Sequence, residues 1–194
     1  MKDLESSKYI QSCLCDEKGF IKAEFLLSNE NGLEIFVDES SFNVLFEELN
    51  KFIKFYRLEM KISSREIFYK FFQNNDNLEY VFSNNKLFCD IGLRASKDEK
   101  LLTEEEFKLN ILLLGQFLFS HQDVNKYRPH DIGMNITHVS FLKGCFRGQE
   151  VIARTEHLSK KKKVITPIKY EDEVSINSKK IKTLKEISFE KNIF

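Results

Sequence analysis

A chain of 194 residues is long enough to bury one sizeable core with a small appendage. Its 42% hydrophobic and 31% charged content is that of a folded globular protein and excludes a disordered one. The formal net charge of +0 lacks the basic excess usual in nucleic-acid binders, so no direct nucleic-acid partner is expected.

The first predicted elements form an antiparallel meander. Residues 9–15 read as a strand, Asp16-Glu17-Lys18-Gly19 as a turn, and residues 20–27 as a second strand. Asn31-Gly32 supplies hairpin chemistry before a third strand over 33–37. A helix follows, capped by Ser40 or Ser41, because Val44, Leu45, Leu49, Phe52, Ile53 and Tyr56 recur at helical spacing. Short strands are predicted over 59–62, 67–72 and 78–82. A second helix opens on a capping box of Thr103 and Glu106, with Phe107, Ile111, Leu114 and Leu118 on one face.

Residues 121–142 give no regular pattern. Gly148 then precedes a short helix over 149–157, in which His157 lies at the C-terminal end. Beyond the basic run Lys160-Lys161-Lys162-Lys163, read as a solvated linker, short strands are predicted over 164–169, 174–176 and 181–184. The class is α+β, with antiparallel sheets and packed helices. The division is a core over 1–158, then a linker and partial β segment over 159–194.

The opening Met1-Lys2-Asp3-Leu4-Glu5 has no apolar signal core, and no apolar run reaches membrane-spanning length. A cytoplasmic location without a membrane partner is expected, or the mitochondrial matrix if the source is eukaryotic. The four cysteines lack disulfide-framework spacing. Cys13 and Cys15 share one side of a strand and read as a core pair. The four histidines form no metal motif, and no metal is expected. His130 and His138 lie close enough in sequence to the Cys145 segment to raise a thiol–imidazole pairing.

Lys143-Gly144-Cys145-Phe146-Arg147-Gly148-Gln149-Glu150 concentrates the candidate chemistry. Two of the chain's 7 glycines stand four positions apart there, where the backbone must turn or approach something closely. Lys143 and Arg147 flank a cysteine just ahead of a helix start, a setting that favours a thiolate or an anionic ligand. A glycine turn holding a structural cysteine and two solvated cations accounts for the same residues.

The run Pro129-His130-Asp131-Ile132-Gly133-Met134-Asn135, then Val139-Ser140-Phe141, then Lys143 through Thr155, resembles the YgfZ-type folate-binding proteins. These are relatives of the glycine-cleavage aminomethyltransferase (T-protein) and include an iron–sulfur assembly factor. The hallmark Lys-Gly-Cys-Tyr-x-Gly-Gln-Glu is matched with Phe146 in place of Tyr. Weaker similarity covers the 12–27 hairpin, 52–62 and Ile91-Gly92-Leu93-Arg94.

The resemblance implies a T-protein-like core followed by a remnant of a C-terminal β-barrel, shortened at both ends or expressed as a fragment. It implies tetrahydrofolate or a folate derivative as ligand. Its partners would be iron–sulfur client enzymes, tRNA-modifying ones among them. Cys145 would be the functional thiol. Lys143, Gly144, Phe146, Arg147, Gly148, Gln149, Glu150 and Arg94 would border the folate. Glu150 has a second reading, orienting Arg154 one turn along. The alternatives are an aminomethyltransferase-type folate enzyme and a degenerate, non-binding remnant.

Overall fold

The computed structural model describes residues 9–30, 32–63, 67–72, 82–84, 87–92 and 101–159. Arg94, the Lys160–Lys163 run and the strands predicted beyond it lie outside the described residues, as does most of the 78–82 strand.

Two small antiparallel sheets carry the fold. In the first, β1 (Ile10–Cys15), β2 (Ile21–Ser28) and β3 (Glu34–Val37) lie in sequence order, as the meander pattern predicts. The β1–β2 turn is built by Asp16. Its carboxylate accepts from the backbone N–H groups of Lys18 (2.9 Å) and Phe20 (2.8 Å), which fixes the reversal. One irregularity matters later. Leu14 pairs with Ala23 but Cys15 pairs with Ile21, so Lys22 is an extra residue in β2. Such a bulge swaps the side-chain alternation. Ile21 therefore shares the face of Cys13, Cys15 and Glu24.

The second sheet places β6 (Leu87–Gly92) between β4 (Phe68–Phe72) and β5 (Phe82–Asn84). The central strand β6 has no counterpart among the predicted elements. The predicted strand over 59–62 is not formed. Residues 58–63 have no strand partner, and Leu58 and Ile62 are exposed.

Helix α1 (Glu39–Tyr56) starts one to two residues before the predicted cap. Asp38 is the cap: its Oδ1 accepts from the Ser40 N–H at 2.9 Å, a charge-assisted bond at the positive end of the helix. Ser41 is instead buried with Leu45 and Glu48 on the face that meets β2. Helix α2 (Glu104–Leu113) has the predicted capping box. Glu106 N–H donates to Thr103 Oγ1 at 3.2 Å, and Thr103 N–H donates to Glu106 Oε2 at 2.7 Å. The helix stops before Leu114 and Leu118, so its predicted face is cut short.

From 116 onward the chain wraps the open end of β1 and β2. Tyr127 C=O accepts from Ile21 N–H, and Ile21 C=O accepts from Asn125 N–H, both at 2.9 Å. Two single-turn 3-10 segments (His121–Asp123 and Pro129–Asp131) are each closed by an aspartate reaching back to a backbone N–H. The four-residue α3 (Met134–Thr137) and the ten-residue α4 (Gln149–Leu158) complete the layer.

Two apolar clusters result. Ile21, Phe117, Ile132, Met134 and Ile152 centre the first, with Phe141 and Phe146 against it. Tyr9, Leu26, Cys89 and Leu114 form the second, which joins the two sheets. Each fully buried aliphatic side chain of this kind contributes about 2 kcal/mol. The α+β class is as predicted. Among the described residues, no helix is long and apolar enough to cross a membrane.

Candidate functional site

The segment 141–148 runs between the first core and α4, and its two halves are held differently. In the first half, Leu142, Lys143, Gly144 and Cys145 are all exposed. A side chain at Gly144 would meet no atom within 4 Å. Lys143 Nζ stands 4.8 Å over the Phe146 ring, a cation–π contact. Phe146 itself is half-buried against the core.

The second half is locked to the rest of the protein. Gly148 caps α4 with φ of +78°, and a Cβ there would fall 2.5 Å from the Asp16 carbonyl oxygen and 3.0 Å from Gly19 Cα. Gly19, also at φ +78°, presses on Ile152, with 3.1 Å between its virtual Cβ and Cγ1. The β1–β2 turn and the start of α4 thus meet backbone to backbone, which only glycine allows.

Arg147 clamps the same junction. Its guanidinium donates from Nε to Glu17 Oε1 at 2.8 Å, from Nη2 to the same oxygen, and from Nη1 to Glu48 Oε2 at 2.8 Å. Glu48 also meets Lys22 at 3.1 Å and Lys51 at 3.2 Å. Lys22 is the extra residue of the β2 bulge. The Lys22 hydrogen bond, with Lys51 and Arg147 behind it, holds the Glu48 carboxyl down to about 2, against a desolvation that works the other way. The hydrogen bond of Arg147 raises the guanidinium further above its ordinary value, with Glu17 as first partner. Arg147 therefore ties three elements together and does not present a spare cation beside Cys145.

Gln149 turns back on the loop: its Oε1 accepts from Phe146 N–H at 3.2 Å. Glu150 pairs with Arg154 at 3.1 Å, one turn along α4, and both are exposed. Cys145, Gln149, Glu150, Ala153, Arg154 and His157 line an open, mostly apolar depression of about 600 Å³ along α4. The depression is where the structure brings Cys145 together with predicted site residues. Lys143, Gly144, Phe146, Arg147 and Gly148 are not among its lining residues.

His130 and His138 are committed elsewhere. His130 Nε2 pairs with Glu156 at 2.8 Å, and Asn135 donates to the same oxygen at 3.1 Å. His138 is buried between Thr137 Oγ1 at 2.7 Å and Glu24 Oε1 at 2.8 Å. The thiol–imidazole pairing with Cys145 raised for these two is not formed; carboxylates on α4 and β2 take the rings instead. His157, in the last turn of α4 as predicted, makes an edge contact with Phe141 and lines the depression.

The sequence reading passed over Glu17, Glu48 and Glu24, the three carboxylates that organise this region. Apart from Lys51, three positions from Glu48, the partners cited for them lie from 26 to 130 positions away, so little in their local sequence marks them. Among the described residues, no group of three or more His, Cys, Asp or Glu is placed to hold a metal ion. No protein-family model and no curated protein matches the chain.

Proposed function

We propose that the protein is a tetrahydrofolate-binding accessory protein of the YgfZ type, with a T-protein-like core, that supports iron–sulfur clusters in client enzymes. The observation that carries the reading is the placement of the hallmark segment. Its cysteine is exposed at the rim of a depression, while the residues after it are locked into the fold.

The residues present suit a folate. The depression beside Cys145 is open and shallow, so a folate would lie along α4 with much of its surface in solvent. Its mostly apolar lining accommodates an aromatic ring system. Arg154 is an exposed cation lining the depression with Cys145, and Lys143 is an exposed cation two residues before that cysteine; both suit the carboxylates of a folate's glutamate tail. Glu150 sets the direction of Arg154, and Phe146 sets that of Lys143. Gly148 and Arg147 hold the loop in place, and Gln149 closes its last turn. Bound folate would supply a one-carbon or reducing group; this chain's own part is to hold it beside the Cys145 thiol.

Calorimetry with folinic acid tests the binding. Wild type is expected to bind, and Arg154→Ala with Lys143→Ala to bind at least about tenfold more weakly through loss of two charge-assisted contacts. A folded wild type that releases no heat with folinic acid overturns the proposal and leaves the non-binding remnant. Glycine- and tetrahydrofolate-dependent methylene transfer by the pure protein would make it an aminomethyltransferase. For the accessory role, Cys145→Ser is expected to lower iron–sulfur enzyme activity in cells that depend on this protein.

A further inference from the structure

A pair of thiols lies on β1, apart from Cys145. Cys13 and Cys15 sit on one face of β1 with their sulfurs 3.9 Å apart, and both are reduced. Cys15 is buried, whereas Cys13 is only half-buried. The pair ends β1 at the bulge, where the strand leaves its ladder for the Asp16 turn. The sulfurs need to approach by about 1.9 Å to reach bonding distance.

Charged groups surround the pair. Glu24 is the cross-strand partner of Cys13 and is held by buried His138 at 2.8 Å. The hydrogen bond with Cys15 raises the Cys13 thiol well above its ordinary value; burial and the charge of Glu24 add to this, and Lys143 of the hallmark loop opposes it. The thiol is thus kept protonated at neutral pH, so its exchange is slow there and quickens as the pH rises.

We infer that Cys13 and Cys15 form a redox-active dithiol that closes to an intramolecular disulfide by exchange with a small-molecule disulfide. Cys13, the less buried of the two, loses its proton, attacks the reagent as the thiolate, forms a mixed disulfide and expels one thiolate. Cys15, sheltered behind it, then attacks the Cys13 sulfur and expels the second. One S–S bond breaks in the reagent and one forms in the protein. Two electrons pass to the reagent, and the two thiol protons end on the two small thiols released. A bond closed between second neighbours on a strand is strained, which makes it easily reduced and so reversible. The inference is independent of the folate reading and stands or falls by itself.

The test uses the full chain, native and in excess oxidised glutathione, with acid quenching, alkylation and mass analysis of the tryptic peptide spanning residues 9–18. The expected product is that peptide with two hydrogens lost and no alkyl group, restored by dithiothreitol. Its rate of formation should rise about tenfold per pH unit through neutrality, because only the thiolate reacts. Cys145→Ser should form it at an unchanged rate, which separates the pair from the exposed thiol. Recovery of the peptide with both thiols alkylated, or closure only in denaturant, would overturn the inference.

Discussion

Gly144 and Gly148 lie four residues apart in opposite surroundings. Around Gly144 there is open space, and its neighbours Lys143 and Cys145 face solvent. Around Gly148 there is backbone on all sides, and Arg147 beside it is bonded to two other elements. The first half of the segment is therefore available to a ligand, and the second half carries stability. A single motif combines a presented thiol with the anchor that holds it there, so the two can be broken separately.

The largest effect expected is at the anchor. Gly148→Ala puts a methyl 2.5 Å from the Asp16 carbonyl at a backbone conformation that L residues resist. It should cost about 3 kcal/mol or more, read as a lowered urea midpoint with α4 detached from the β1–β2 turn. Wild-type stability in this variant would mean that the junction does not bear load.

Removing the carboxylate under the anchor comes next. Glu48→Gln leaves Lys22, Lys51 and Arg147 without their common counter-ion and should cost about 2 kcal/mol at pH 7. The pH dependence gives this a sign. The Glu48 carboxyl is depressed to about 2 in the fold from an ordinary 4.5. Its contribution is then fully present above about 4.5 and lost as the pH falls towards 2. The gap in stability between wild type and Glu48→Gln should close over that interval. A gap that stays constant from pH 7 to pH 2 would assign the loss to packing.

The smallest effect is expected at the other glycine. Gly144→Ala has room for its methyl, so stability should change by less than about 1 kcal/mol. Any effect on folinic acid binding would then report on the presented half alone. A large loss of stability in this variant would erase the contrast between the halves.

Much of the local structure was legible in the sequence because its causes are local. The Asp16 turn, the capping box of Thr103 and Glu106, and the glycine start of α4 each depend on residues a few positions apart. Misreadings occurred where a distant group decided the matter. Residues 58–63 alternate in the manner of a strand, yet a strand needs a partner, and no strand pairs with them among the described residues. The Asp38 cap displaced the expected serines because Ser41 is buried against β2. Strand β6 was missed although β5 stands just ahead of it in the chain; its other partner, β4, lies beyond β5 in sequence.

The sequence by itself determined the class, the meander, the capping box of α2, the glycine start of α4 and the eight-residue segment where the candidate residues concentrate. Short-range turn and capping energetics write these directly into neighbouring residues. Only the tertiary structure decided how that segment is used. Arg147 was read as a cation for a ligand or thiolate; Glu17 and Glu48, 130 and 99 positions away, take its guanidinium. His138 was read as a neighbour for Cys145; Glu24, 114 positions away, holds it in the interior. A charged side chain goes to the best-placed counter-charge, and that placement is a property of the folded chain.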